Sequence, residues 1–492
     1  MKYLYLMVMA GIICNSCQKK QEAVNISHSS LNVLFITVDD MRPQLGCYGD
    51  TFAITPNIDR LASKGMLFER AYCQYAICGP SRTSFLTGYY PQTIGVFNNQ
   101  THIREAKLNA ITLPQLFKNN GYTTTGLFKI FHLAGFDPNL FENHNDTASW
   151  SIPHWTPSRS AWGPYGDSIY QINKEICIER GPINYSNIPR SLAYEAPEIA
   201  DSLLSDGETT QKALAYLEEF KNDKSPFFLA VGFYKPHLPF VAPKKYWDLY
   251  DRDKIELPEN QFAPKGLAAS LLPDTKELRS YINIPDKGEF PLEIKKDLLH
   301  GYLASISYID AQIGLLLEKL KELKMDKNTI VVVMGDHGYQ IGEHNLWCKK
   351  HTNFEIATRV PLIISVPSDN KAQKTNSLVE LVDVYPTLAE LCGLNPPSDL
   401  DGKSLVPLIN ESSYSPSNLA FSTMGNHGSQ NSIRTNRYRL NKRKNKEELV
   451  IELYDHLIDP DENNNLSKSP AYQEKLDSLI QVLDQFEKST FN

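Results

Sequence analysis

Two short runs rich in β-branched and aromatic residues, NVLFITV at 32–38 and TIVVVMG at 329–335, end in Asp39-Asp40 and Asp336-His337. Runs apolar on both faces belong to strands buried between two layers, so the chain needs a sheet covered by helices on both sides. PFFLAVGF at 226–233 reads the same way, and RVPLIISVP at 359–367 reads as a further strand. Stretches with helical spacing start at Pro56 (PNIDRLASKGMLFERAY), Thr209 and Tyr302. Strands alternating with helices predict an α/β fold: a large mixed, mostly parallel sheet sandwiched by helices.

A chain of 492 residues exceeds one simple core. Near residue 413 the pattern changes to RTNRYRLNKRKNKEELVIELYDHL and a closing AYQEKLDSLIQVLDQFEKS. The expected organisation is an α/β catalytic domain over 31–412 and a smaller subdomain of antiparallel sheet plus helix over 413–492. The Ser-, Pro- and Tyr-rich stretch 145–206 reads as long irregular insertions over a site. The opening MKYLYLMVMAGIICNSC has a short apolar run before CNSC, which looks like a bacterial lipoprotein box. Residues 1–17 are therefore expected to be a signal peptide with Cys17 lipidated, and 18–30 a tether; an ordinary signal peptide is the alternative. The expected location is exported, in the periplasm or outer membrane, touching the membrane only through the Cys17 anchor.

A net charge of −7 argues against a general nucleic-acid binder. Beyond Cys14 and Cys17, six cysteines remain, scattered and without a C-x-x-C pair, so neither a disulfide scaffold nor a zinc site is indicated. A Cys73–Cys78 bridge stays open at this point.

In open α/β sheets ligands bind beyond the carboxyl ends of the strands. Asp39, Asp40 and Asp336 brought together there would repel unless a cation neutralised them, and hard oxygen donors suit Ca²⁺ or Mg²⁺. Taken alone, an Asp-Asp pair more often caps a helix. Lys129 and His132 in FKIFH, His237 in YKPHLP and Lys350 in WCKKHTNFE follow comparable runs. Each has a plainer reading as a solvated, core or turn residue. Together, a metal with Lys, Arg and His around a nucleophile is what a tetrahedral oxyanion ester requires. The nucleophile candidate is Cys78, opening CGPSRTSFLTG just where a helix is expected to start.

That eleven-residue stretch, Cys78 to Gly88, resembles the signature of the formylglycine-dependent sulfatases, a family within the alkaline phosphatase superfamily. The likeness extends over NVLFITVDDMRPQLGCYGD, SPFFLAVGFYKPHLPF and GDHGYQIGEHNLW, and is greatest toward the iduronate-2-sulfatase branch. The resemblance implies that a sulfatase-maturing enzyme oxidises Cys78 to formylglycine (3-oxoalanine). It implies one Ca²⁺ held by Asp39, Asp40, Asp336, His337 and modified Cys78, with Arg82 orienting the hydrate and His132 assisting it. Lys129 and Lys350 would bind sulfate oxygens, and His237 would bind sulfate and protonate the leaving oxygen. Matching from Trp347 would select Lys349 instead of Lys350; the longer downstream match favours Lys350.

The implied substrate is a sulfated saccharide derived from glycosaminoglycan, such as heparan sulfate, with the 2-O-sulfate of a uronic acid as the ester cleaved. Arg434, Arg437, Arg439 and NKRKNK from Asn441 are candidate cations for the uronate carboxylate, although an exposed basic turn is the plainer reading of that run. The alternatives are a phosphodiester or phosphonate ester hydrolase using the same site, and a lipoprotein that binds sulfated glycans without cleaving them.

Overall fold

The structure, a computed structural model, describes residues 31–132, 145–180, 190–367, 372–411, 419–445 and 448–490. The expectations for residues 1–17, 18–30 and the boundary at 413 lie outside the described residues. The main-sheet strands are β1 (Asn32–Val38), β2 (Met66–Tyr72), β3 (Thr123–Phe128), β4 (Phe227–Phe233), β5 (Thr329–Gly335), β6 (Arg359–Val360), β7 (Leu362–Ser365) and β8 (Gln373–Glu380). They lie in the order β8-β2-β7-β5-β1-β4-β3, with β6 continuing β7 along the same edge of β2. Only β6 and β7 run against the rest.

Alternate residues of each strand feed opposite layers, as the pleat requires. Leu34, Ile36 and Val38 pack with Val231, Val333 and the helices Ser205–Phe220 and Leu292–Glu322. Val33 and Phe35 pack on the other face with Phe228, Val332, the helix Cys78–Thr87 and the helix Val384–Leu391. The two-sided burial expected from the apolar runs is therefore realised. No described helix is long and apolar enough to cross a membrane.

Three local expectations need correction. PNIDRLASKGMLFERAY is not one helix: the helix ends at Ala62, Gly65 packs against the backbone of β7, and MLFERAY becomes β2, paired on both edges. Tertiary pairing outweighs the local helical spacing there. RVPLIISVP is two strands, interrupted at Pro361, which has no N–H for the ladder. The irregular stretch 145–206 contains the helix Pro164–Glu179, opened by proline at its first turn and burying only Gly166 and Tyr170.

A second sheet is antiparallel, with β9 (Leu419–Met424), β10 (Gln430–Thr435), β11 (Tyr438–Asn445) and β12 (Glu448–Asp455) in sequence order. The helix Gln473–Thr490 covers it, placing Leu476, Leu479 and Leu483 on Ile433, Leu440 and Leu453. The sheet joins the main body at β9, where Thr423 N–H donates to Gln74 O and Phe421 N–H to Glu380 Oε1.

Candidate active site

Strands β1, β3, β4 and β5 run in parallel, so their carboxyl ends deliver Asp39-Asp40, Lys129, His237 and Asp336-His337 to one edge of the sheet. Asp40 and Phe128 adopt left-handed backbone, with φ of 58° and 57°. Non-glycine residues in that region carry strain, and here the strain sits at strand ends where side chains must be aimed. Glycine is required at position 232 on β4, since a Cβ there would collide with the Lys129 carbonyl.

Cys78 is the first residue of the helix Cys78–Thr87, every residue of which is buried. Three of its four hydroxyls bond to backbone, Ser81 to Asp336 O, Thr83 to Gly79 O at 2.9 Å and Thr87 to Thr83 O at 2.7 Å, while Ser84 Oγ is buried without a partner. Gly79 N–H donates to Asn99 Oδ1 at 2.9 Å, and a Cβ at residue 79 would lie 2.8 Å from that oxygen. Arg82 is wholly buried. Its Nε donates to Asp336 Oδ2 at 2.9 Å and its Nη1 to the carbonyls of Lys129 and Ile130. Its Nη2 makes no hydrogen bond and faces Asp39 Oδ1 at 3.7 Å.

Cys78 Sγ lies 3.2 Å from both Asp39 Oδ1 and His337 Nε2, and 3.6 Å from Lys350 Nζ. Lys350 also donates to Asp40 Oδ1 at 2.7 Å, and Lys129 to Asp39 Oδ2. The His337 Nδ1–H donates to Gly338 O at 3.0 Å, which leaves the Nε2 lone pair aimed at residue 78. The Asp336 Oδ1 accepts from the backbone N–H groups of Asp40 and His337. His237 Nε2 faces Asp40 Oδ2 at 3.8 Å and Glu277 Oε1 at 3.9 Å, while Nδ1 is held by Leu238 O and the Tyr234 hydroxyl.

The charges are strongly perturbed. Burial pushes the Cys78 thiol well up, and Asp39 adds to the effect, so a thiolate is disfavoured. Asp40 is likewise raised by burial and Asp336 is raised to about 7, each aggravated by the neighbouring carboxylates. Burial also acts to raise Asp39, but Lys129, His237, Lys350 and Arg82 outweigh it and hold it well below the usual range. Three acidic groups are thus set against three basic ones, Lys129, Lys350 and Arg82. A divalent cation added to that balance leaves a positive surplus suited to an anionic ester.

The residues fit such a cation. Ligand atoms of Asp39, Asp40, Cys78 and His337 lie within 4.8 Å of one another, all buried, and Asp40 Oδ2 accepts no hydrogen bond. Two of the four are carboxylates, the donors that a hard cation such as Ca²⁺ prefers. The carboxylate of Asp336, expected as a fifth ligand beside these four, accepts from Arg82 and from backbone N–H groups.

Sequence reasoning favoured Lys350 over Lys349, and Lys350 has its amine 3.6 Å from Cys78 Sγ. His132 is half-buried, three residues beyond Lys129 on the same loop. Cys73 and Cys78 are separate thiols, both buried. The candidate carboxylate-binding arginines are engaged elsewhere: Arg434 and Arg439 with Glu355, and Arg437 with Asp455. Sequence reasoning missed Glu277 and Tyr234. Tyr234 lies inside YKPH, three residues before the singled-out His237, whereas Glu277 comes from a stretch with no periodicity and carried no signal.

A model of the sulfatase family matches residues 31–394, and one described as N-sulphoglucosamine sulphohydrolase, C-terminal, matches residues 342–489. Iduronate 2-sulfatase of Homo sapiens is 36% identical over 428 residues, covering 80% of this chain and 74% of that protein. A solved structure in complex with its substrate D-glucosamine-2-N,6-O-disulfate superposes with a TM-score of 0.71 at 22% identity, covering 94% of this chain and 98% of the other. A phosphonate monoester hydrolase from Silicibacter pomeroyi superposes with a TM-score of 0.73 at 23% identity, covering 94% and 96%. The two superpositions show a shared fold; the family match spans most of the chain and agrees with the relative of known name. The chain belongs to the sulfatase family and is a sulfuric ester hydrolase.

Proposed function

We propose that the enzyme cleaves the 2-O-sulfate of a uronic acid in a glycosaminoglycan-derived saccharide, using formylglycine formed from Cys78 and a bound Ca²⁺. One observation carries the chemistry: a buried Cys78 at a helix start, 3.2 Å from both Asp39 and His337, with Lys350 at 3.6 Å. A buried thiol held in its neutral form is a poor nucleophile, so this cysteine suits conversion better than direct attack. The likeness to the human iduronate 2-sulfatase supports the choice of sugar.

Asp39, Asp40, His337 and residue 78 would hold the cation, which supplies positive charge to the nucleophile and to the sulfate oxygens. Formylglycine at residue 78 would supply, as its hydrate, the nucleophilic oxygen and the route to sulfate release that a thiol lacks. Arg82, fixed by Asp336 and two carbonyls, has its free Nη2 available to an oxygen on residue 78. Lys129 and Lys350 neutralise sulfate oxygens, and the start of the helix adds its positive dipole end. His237 stands where a proton can pass from Nε2 to the departing sugar oxygen. Export with a lipid on Cys17 belongs to the same proposal, supported by the apolar run before CNSC.

The test is the mass of the tryptic peptide containing residue 78, with sulfate release from defined disaccharides measured on the same preparation. Conversion lowers the peptide by about 18 Da. An intact thiol in active enzyme from a host with the maturation system would overturn the mechanism. Release of only 6-O-sulfate from hexosamine would overturn the substrate. A higher kcat/KM for an aryl phosphodiester than for an aryl sulfate would make the phosphodiester reading the correct one.

A further inference from the structure

The proposed proton donor has a carboxylate beside it that the chemistry leaves unused. Nε2 of His237 lies 3.8 Å from Asp40 Oδ2 and 3.9 Å from Glu277 Oε1. The three side chains differ in exposure: Asp40 is sealed from solvent, His237 is 11% exposed and Glu277 is 27% exposed. The series runs outward from the cation group. Glu277 therefore stands at the open end of the site, where the sugar must lie when its sulfate is beside residue 78.

Glu277 is held there firmly. It belongs to the short helix Lys276–Arg279, which packs on the strand Trp347–Lys349 and is anchored by Leu278, with Tyr281 just beyond it, both buried in the core. Its neighbours spend their charge elsewhere. Lys276 pairs with Asp274 at 2.9 Å, and the Arg279 guanidinium donates to the carbonyls of Pro285 and Gly288. Among the described residues the Glu277 carboxylate accepts no hydrogen bond, and no lysine or arginine pairs with it.

An ionised carboxylate only accepts hydrogen bonds, so its partner has to be a donor. Lys129, Lys350 and Arg82 already meet the negative charge of the ester, and the donor that a sugar sulfate brings is a hydroxyl. With the departing oxygen within reach of Nε2, the oxygen on the next ring carbon is displaced by a distance of the same order as the gap to Glu277. In a 2-O-sulfated uronate that oxygen is the 3-hydroxyl, because C1 is taken up by the glycosidic link. The carboxylate on C5 lies across the ring and so stays clear of Glu277.

We infer that Glu277 accepts a hydrogen bond from the 3-hydroxyl of the sulfated uronate and selects sugars with a free hydroxyl beside the ester. This rests on the substrate reading given above. Glu277 binds the sugar and takes no part in bond making or breaking.

The experiment compares two disaccharides carrying the same 2-O-sulfated uronate, one intact and one lacking the 3-hydroxyl. Enzyme with residue 78 converted is assayed as wild type, E277Q and E277A. The wild type is expected to favour the hydroxyl by about 10- to 100-fold in kcat/KM, the range for a hydrogen bond to a charged group. E277A should turn over the two substrates with nearly equal kcat/KM. E277Q, whose amide oxygen still accepts but carries no charge, should fall between. The ratio is the readout because an altered proton affinity at His237 would slow both substrates alike. A Ca²⁺-dependent Tm rise retained by both variants excludes misfolding. No wild-type preference, or a wild-type ratio kept by E277A and E277Q, would overturn the inference while leaving the sulfatase reading intact. Release of sulfate from neither disaccharide by the wild type would overturn the substrate reading, and this inference with it.

Discussion

His237 and Asp40 separate the two halves of the proposed chemistry, since one faces the departing group and the other the cation. Removing the acid should matter most where the leaving oxygen is a poor one. H237A is therefore expected to lower kcat/KM on a sugar sulfate by about 10²- to 10⁴-fold, and far less on an aryl sulfate with an acidic phenol. Equal losses on both esters would deny His237 the proton-donor role. Asp40 Oδ2, buried without a hydrogen bond, predicts a stability effect that needs no turnover. Adding Ca²⁺ to chelator-treated enzyme should raise Tm, because a ligand bound only by the folded state stabilises it. D40N should abolish most of that rise. At this scale the sequence was informative where a motif named the residue, as at Cys78, Arg82 and Asp39. It was silent on Glu277, which sits in the four-residue helix Lys276–Arg279 and is tied to the site only by its distance to His237.

The helix Cys78–Thr87 shows why legibility varies among elements. Its sequence has no apolar stripe, yet it is buried throughout, because three of its hydroxyls bond to backbone carbonyls. Periodicity alone would have left it a surface turn. The apolar runs behind β1, β4 and β5 were readable because two-sided burial leaves no polar face, whereas β2 was hidden inside a helical spacing and emerged only from its partners on both edges. Glycine at position 79 follows the residue expected to be modified. Its fit against Asn99 makes a separate demand on the fold: G79A should cost about 1–3 kcal/mol in denaturant unfolding, as overpacking does. A change within a few tenths of a kcal/mol would show that the Asn98-Asn99 loop simply moves aside.

Across the whole molecule, the antiparallel sheet is tied to the catalytic body through Glu355. That carboxylate accepts from Tyr72, Arg434 and Arg439, and the Glu355 N–H donates to Glu462. Burial alone would raise the Glu355 carboxyl, but Arg434 and Arg439 outweigh it and hold it well below the ordinary glutamate value. A carboxylate lowered on folding contributes stability that is complete above its unfolded value of about 4.3, and loses it as pH falls through the folded value. The stability gap between wild type and E355Q should thus be constant near neutrality and shrink below about pH 4. A gap that widens on acidification would contradict this assignment. The two-sheet organisation was legible from the change of pattern near residue 413. The network joining the sheets was not, because its members are some eighty residues or more apart and meet only in the folded chain.

Glu355 stands five positions after Lys350, so the loop proposed to present that amine to sulfate is moored by Arg434, Arg439 and Glu462. This imposes an order in time. A ribosome that has made strands β1 to β8 has already supplied every group proposed to touch the ester, yet the mooring does not exist until residue 462 has emerged and docked. Competence therefore arrives late in synthesis, and a chain stopped short of that point carries its reactive centre without the grip that would let it hold a substrate.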